Sequence, residues 1–242
     1  MAFDIVLPNR TGTNEQEIFK TENNIVLIGS NGAGKSRLGV WIEHKMTNRN
    51  TVHRISAQKA LNIPDFAELK NLEQAQKDLL FGRADQYGTL ANKNDYRWGK
   101  SPATFLLNDY NKLLSLLFAK DTERDRLHRV ETRNTQGYVP VPNSPIDIIT
   151  DIWSSIMPHR QISFSDGKVL VKKDGQPDYH GKEMSDGERV TLYLIGQCLC
   201  APENSIVIID EPEIHIHKAL VDKIWNKIEE LSQNKLLILE FN

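Results

Sequence analysis

Apolar positions along the chain change their spacing twice. Residues 3–7 and 24–29 read as short strands, and the second, Asn24-Ile25-Val26-Leu27-Ile28-Gly29, is nearly continuous in apolar side chains. That run is the pattern of a central strand buried on both faces. Helix-compatible sequence follows over 35–46, then a short strand-like piece over 52–56. From about 60 to 158 the spacing becomes helical. Residues 65–80 carry Phe66, Leu69, Leu72, Leu79 and Leu80 at helical intervals, and Gly82 is a natural stop. Residues 82–101 are polar and loop-like. A long helix is then predicted from 102 towards 133, apolar at Leu106, Leu107, Tyr110, Leu113, Leu114, Leu117 and Phe118. Pro140, Pro142 and Pro145 mark a turn before another helix over 146–157, and alternation around Asp166-Gly167 predicts a hairpin of 161–165 with 168–173. The last third returns to alternating elements: helix 186–200, strand 205–210, helix about 217–231, strand 235–240. The expected fold is α/β, with a core divided between residues 1–58 and 160–242 and a largely helical insertion over 59–159.

Composition adds limits. The 242 residues suffice for one large domain or a domain with a sizeable insertion, and 39% hydrophobic with 26% charged residues fits a globular chain. Thirty basic against 32 acidic residues leave a net charge of -2, so no global field draws the molecule onto nucleic acid. Residues 120–133 are charged with mixed signs, as on a solvated helix face laced with ion pairs. Cys198 and Cys200, two apart in an apolar stretch, read as buried reduced thiols, since no second ligand pair would complete a metal site. The N-terminus lacks the pattern of a signal peptide, and no run approaches the roughly 20 apolar residues of a membrane helix. A cytoplasmic protein without a membrane partner is expected.

The chemistry begins at Gly29-Ser30-Asn31-Gly32-Ala33-Gly34-Lys35-Ser36, which fits G-x-x-x-x-G-K-[ST] at every fixed position. The glycines let backbone N–H groups turn inward towards phosphates, Lys35 reaches the β and γ oxygens of ATP, and the Ser36 hydroxyl ligates Mg²⁺. The helix that follows points its positive end at the same anion. The apolar run 206–209 delivers Asp210 and Glu211 at its C-terminal end, where open α/β sheets place ligand groups. Asp210 is expected to hold Mg²⁺ and Glu211 to orient and polarise the attacking water. The plain alternative is a strand that ends in polar residues.

Ser185-Asp186-Gly187-Glu188 precedes an apolar helix and forms an S-x-x-E capping box. Gly187 is not needed for a cap and costs about 1 kcal/mol relative to alanine in a first turn, which suggests that something approaches the backbone there. Met184-Ser185-Asp186-Gly187-Glu188 resembles the LSGGQ signature of ABC-type ATPases, and it lies 25 residues before Asp210 as that family's order requires. Together with the phosphate loop and Asp210-Glu211-Pro212 it resembles the Rad50/SMC-like branch. Asp210-Glu211-Pro212-Glu213-Ile214-His215-Ile216-His217 looks like the DEPE-x-H-x-H element of OLD-like and AAA-15/21-type ATPases, many of which serve in bacterial anti-phage systems, including the ATPase component of PARIS-like defence.

The resemblance covers the two α/β ends, roughly 1–58 and 160–242. It implies a homo-oligomer with composite ATP sites, Ser185, Gly187 and Glu188 of one subunit meeting the nucleotide held by Lys35 of another. It puts His217 where the family's D-loop aspartate sits; capping and packing at a helix start is the other reading for His215 and His217. Gln58, 23 residues after Lys35, is the candidate for the family's Mg²⁺-sensing glutamine, although it comes early. After Leu236-Leu237-Ile238-Leu239 the family has a switch histidine, whereas Glu240-Phe241-Asn242 follow here, so weak hydrolysis by this chain alone is expected. The functions in view are an ATP-driven switch with an effector protein, a nucleotide-dependent scaffold that hydrolyses little, a transporter ATPase subunit and, least supported, a small-molecule kinase. DNA binding is common among the relatives and is not demanded by the net charge.

Overall fold

An apolar run with no polar position to leave in water must be covered on both sides, and residues 206–209 are such a run. The computed structural model describes residues 2–9, 17–45, 52–56, 59–214 and 216–241. The elements begin with β1 (Phe3–Leu7), β2 (Glu17–Thr21), β3 (Ile25–Ile28), α1 (Lys35–Lys45) and β4 (Val52–Ile55). Four helices follow: α2 (Leu72–Phe81), α3 (Lys93–Tyr96), α4 (Tyr110–Asn134) and α5 (Pro145–Ile156). The chain continues through β5 (Arg160–Ser165), β6 (Lys168–Lys173), β7 (Tyr179–His180), α6 (Asp186–Cys200), β8 (Ile206–Asp210), α7 (Lys218–Leu231) and β9 (Leu236–Phe241).

The central sheet is parallel in the order β3-β9-β8-β4. Every residue of β8 is buried. Ile206 and Ile208 pack with Ile5, Val6, Ile42 and Ile238 on the face covered by α1 and the β1-β2 hairpin. Val207 and Ile209 point the other way, into a larger cluster that holds α6, α7 and residues of α2, α4 and α5. Helices α2, α4 and α5 of the 59–159 stretch therefore share one apolar core with the sheet. Each fully buried leucine or isoleucine there contributes about 1.5–3 kcal/mol. A second sheet, β5-β6-β7, lies against the same cluster through Ile162, Val169 and Val171.

Four expectations need correction. The strand before the phosphate loop is an edge strand, not a central one: β3 pairs only with β9 among the described residues. Ile25 and Leu27 pack against the α1 side, but Val26 is 53% and Ile28 81% exposed. The helix expected over 65–80 starts only at Leu72, where the Asn71 side chain caps it by accepting from Gln74 N at 2.9 Å. The polar stretch 82–101 contains α3 and a 3-10 turn at Leu90–Asn92, and the fully buried Trp98 anchors it. The long helix begins at Tyr110, eight residues later than its apolar spacing suggests, and residues 101–105 form a separate tight turn.

The remaining elements follow the sequence pattern closely. Ser144 and Asp147 form a capping box on α5, as Ser185 and Glu188 do on α6. The hairpin turns at Asp166-Gly167. The charged part of α4 carries Arg126–Glu123 and Arg124–Asp121 ion pairs, with Arg124 also reaching Asp147 at 2.6 Å. Cys198 and Cys200 are buried and free, and burial pushes their thiols up to about 12 and 11.

Candidate nucleotide-binding site

The loop between β3 and α1 has the backbone that its glycines permit. Gly32 and Gly34 take φ of 84° and 97°, in the left-handed region that side-chain-bearing residues avoid. The turn is closed by Ala33 N donating to Ser30 O at 3.1 Å and Leu38 N to Gly34 O at 3.0 Å. The Lys35 ammonium lies over this loop, donating to the carbonyls of Gly29 (2.6 Å) and Ser30 (3.3 Å). Asn31, Gly32, Gly34, Lys35 and Ser36 line a cavity of about 490 Å³, and Glu211 lines it with them. The loop and the acid that follows β8 are thus brought together, although they are far apart in sequence.

Asp210 is 3% exposed at the end of β8, and its Oδ1 is buried without a hydrogen-bond partner among the described residues. An orphaned carboxylate oxygen beside a phosphate-type loop fits a cation ligand, and Ser36 supplies a hydroxyl in the adjoining cavity. Glu211 takes φ of 47°, a conformation that costs a non-glycine residue energy, and its N–H donates to Glu240 O at 2.9 Å. Gln58 and His215 lie outside the described residues.

Glu240 closes the strand predicted over 235–240. In β9 it is fully buried and directly opposite Asp210 in the parallel register. Burial, then the charge of Asp210, pushes its carboxyl up to about 8, against the pull of Arg54 and Lys35. Gly39 makes room for it, since a Cβ there would stand 2.8 Å from Glu240 Oε1. The sequence pattern places this acid in the strand but hides its pairing with Asp210, which depends on strand register.

Between α1, β4 and α3 lies a buried ionic network that single motifs did not reveal. Glu43 of α1 meets Arg54 of β4 at 3.0 Å and Lys93 of α3 at 2.7 Å, and Trp98 Nε1 donates to it at 3.2 Å. Burial alone would raise the Glu43 pKa, but the Lys93 and Arg54 charges hold it well below the usual carboxylate range. The network continues through Arg97 and Asp109 (3.2 Å) to Tyr193 (2.6 Å) and Gln197 (3.2 Å) of α6. Lys59 is a further cation near the acids: burial lowers its pKa, opposed by the charges of Asp210, Glu211, Asp109 and Glu213.

Ser185, Gly187 and Glu188 are placed together at the start of α6 but not in the phosphate cavity. They line a separate cavity of about 580 Å³ with His217, His159 and Arg160. Glu188 accepts from Ser185 N at 2.8 Å, and it pairs with Arg160 at 2.5 Å and Tyr179 OH at 2.8 Å. Its own burial would raise its pKa, and the hydrogen bonds from Ser185 and Tyr179 together with the charge of Arg160 lower it. His217 is the N-cap of α7, its Nδ1 accepting from Ala219 N at 3.3 Å, so the capping reading holds while the ring also borders this second cavity. Among the described residues no group of three or more His, Cys, Asp and Glu side chains could hold a metal by itself. No helix of the described residues is long and apolar enough to cross a membrane.

Comparison with solved structures finds similarity to the SMC head bound to the C-winged helix domain of ScpA: 14% identity, 94% of this chain and 85% of that one, TM-score 0.47. The SMC head domain from Thermotoga maritima is similar over 100% and 89% at 14% identity and TM-score 0.45. A "Putative ABC transporter (ATP-binding protein)" from Pyrococcus furiosus is similar over 99% and 88% at 14% identity and TM-score 0.43. Among curated proteins, none matches the chain. One family model matches residues 37–239, most of the chain from just after the phosphate loop to the end of the Leu236–Leu239 run, and by it the protein belongs to the AAA_21 family, described as "AAA domain, putative AbiEii toxin, Type IV TA system".

Proposed function

We propose that the protein is an ATP-binding and ATP-hydrolysing switch whose nucleotide sites are completed between two copies of the chain. One observation carries this reading. The phosphate loop and Glu211 line one cavity, whereas the signature-like residues Ser185 and Gly187 line another. A nucleotide held by Lys35 meets a signature only if a second copy presents its own. Ser36 and Asp210 would hold magnesium, which supplies charge neutralisation for the phosphate oxygens. Lys35 and the loop N–H groups position the phosphates, and Glu211 orients the attacking water.

The family description speaks of a toxin and a Type IV TA system. Together with the DEPE-x-H-x-H element it supports a role as sensor or scaffold ATPase of an anti-phage defence system or a related DNA-associated complex, with an effector protein engaged by the 59–159 stretch. The decisive experiment replaces Glu211 with glutamine. Glu211→Gln is expected to bind ATP and accumulate as an ATP-bound dimer while losing at least about a hundredfold in turnover, the scale on which removing an activating group acts. Full ATPase activity in that variant contradicts the role given to Glu211.

A further inference from the structure

The phosphate cavity has one wall that the motifs do not account for. Ala103 and Thr104 line it alongside Ser36 and Glu211. Both belong to the stretch whose apolar spacing predicted the first turns of a long helix, yet they precede α4, which starts at Tyr110. Residues 101–105 form a tight turn: Thr104 N and Phe105 N both donate to Ser101 O, at 3.0 and 2.9 Å, and Ser101 N donates to Trp98 O at 2.9 Å. Thr104 is exposed on that turn, at the cavity.

The turn is fastened to the same buried groups that fasten the phosphate-loop helix. Arg54 Nη2 donates to Pro102 O at 2.5 Å, while Arg54 Nε pairs with Glu43 of α1 at 3.0 Å. The Arg54 guanidinium is stacked on Trp98 at 3.9 Å and is 1% exposed. A buried, doubly bonded arginine leaves the turn little freedom relative to α1, so the position of Thr104 against Ser36 and Glu211 is built into the fold rather than left to a loose loop.

We propose that Thr104 is a substrate-contacting residue: its hydroxyl hydrogen-bonds the terminal phosphate of bound ATP, and the inserted stretch thereby reads whether the nucleotide is a tri- or a diphosphate. The inference rests on the ATP-site reading above, because Ser36 and Glu211 mark the terminal-phosphate side of the cavity. A hydroxyl is suited to this task, since it donates to a phosphate oxygen without adding a charge next to Lys35. A hydrogen bond to a charged group is worth more than a neutral one, which sets the expected effect at about tenfold or more in affinity.

The test uses the full chain with Thr104→Val, Thr104→Ser and Lys35→Ala, titrated with ribose-labelled fluorescent ATP and ADP. Thr104→Val preserves shape and removes the hydroxyl; it should weaken ATP about tenfold and leave ADP within twofold, with Thr104→Ser close to the parent. Equal binding of ATP by parent and Thr104→Val overturns the proposal. So does an equal loss of ATP and ADP, or a Thr104→Ser variant as weak as the valine one. Lys35→Ala separates the two layers: if it too leaves nucleotide binding unchanged, the phosphate-loop reading itself fails, and if it alone abolishes binding, only the role of Thr104 falls.

Discussion

His53 shows what a single buried side chain contributes. Its ring is 1% exposed on β4 and hydrogen-bonded to Gln197 at 2.8 Å. Burial, then the positive charges of Arg97 and Lys93, pushes its pKa down to about 3. The unfolded chain binds this proton near the ordinary value of 6.5 and the folded chain only near 3. Stability from the neutral ring is therefore complete above pH 6.5 and is lost progressively as pH falls through that window. Glu240, raised from 4.5 to about 8, acts in the opposite sense above 4.5, so the informative quantity is a difference between variants. Between pH 6 and 5, urea unfolding of the parent should lose up to about 1.4 kcal/mol per pH unit more than His53→Gln. Parallel curves for the two proteins contradict this assignment. At this scale, legibility follows locality. The candidates Lys35, Ser36, Asp210 and Glu211 stand out in the sequence because each motif is a few consecutive residues with a strand before it. Glu240 and Thr104 do not, since one reaches Asp210 through strand register and the other reaches the cavity through Arg54.

Among the elements, those with a strong local boundary signal are readable and those shaped by tertiary contacts are not. The capping boxes at Ser144 and Ser185 define the starts of α5 and α6 within a residue. By contrast, Leu106 continues the apolar spacing of α4 yet is 58% exposed, because the chain turns at 101–105 to meet the phosphate cavity before the helix begins. An edge position for β3 is equally invisible, since an apolar run looks the same whether or not a neighbour covers it. The shared core of insertion and sheet has a direct consequence. Leu113 of α4 is fully buried against α6, so close that a Cβ on Gly196 would stand 3.0 Å from its Cδ2. Leu113→Ala should lower stability by about 2–5 kcal/mol, the usual cost of such a cavity. Chemical denaturation followed by tryptophan fluorescence and by circular dichroism should shift together. If only one of the two signals moves, the inserted helices unfold separately from the sheet.

For the whole molecule, the separation of the two cavities matters most. On the proposed reading, a chain whose phosphate loop and signature-like residues line different cavities has two half-sites, and two copies arranged head to tail would complete both. Binding energy from ATP would then hold the copies together and turnover would release them, the behaviour of a nucleotide switch. Gly187 allows a direct test: it lies in the first turn of α6, where a side chain improves helix propensity but obstructs approach to Ser185. The measurement is ATP turnover, with light scattering in parallel, for Gly187→Arg, for Lys35→Ala and for their mixture. The account predicts that Gly187→Arg binds ATP but neither dimerises nor turns it over, that Lys35→Ala does not bind, and that the mixture regains turnover through its one intact composite site. Turnover at the parent rate by Gly187→Arg alone, as a monomer, would contradict it.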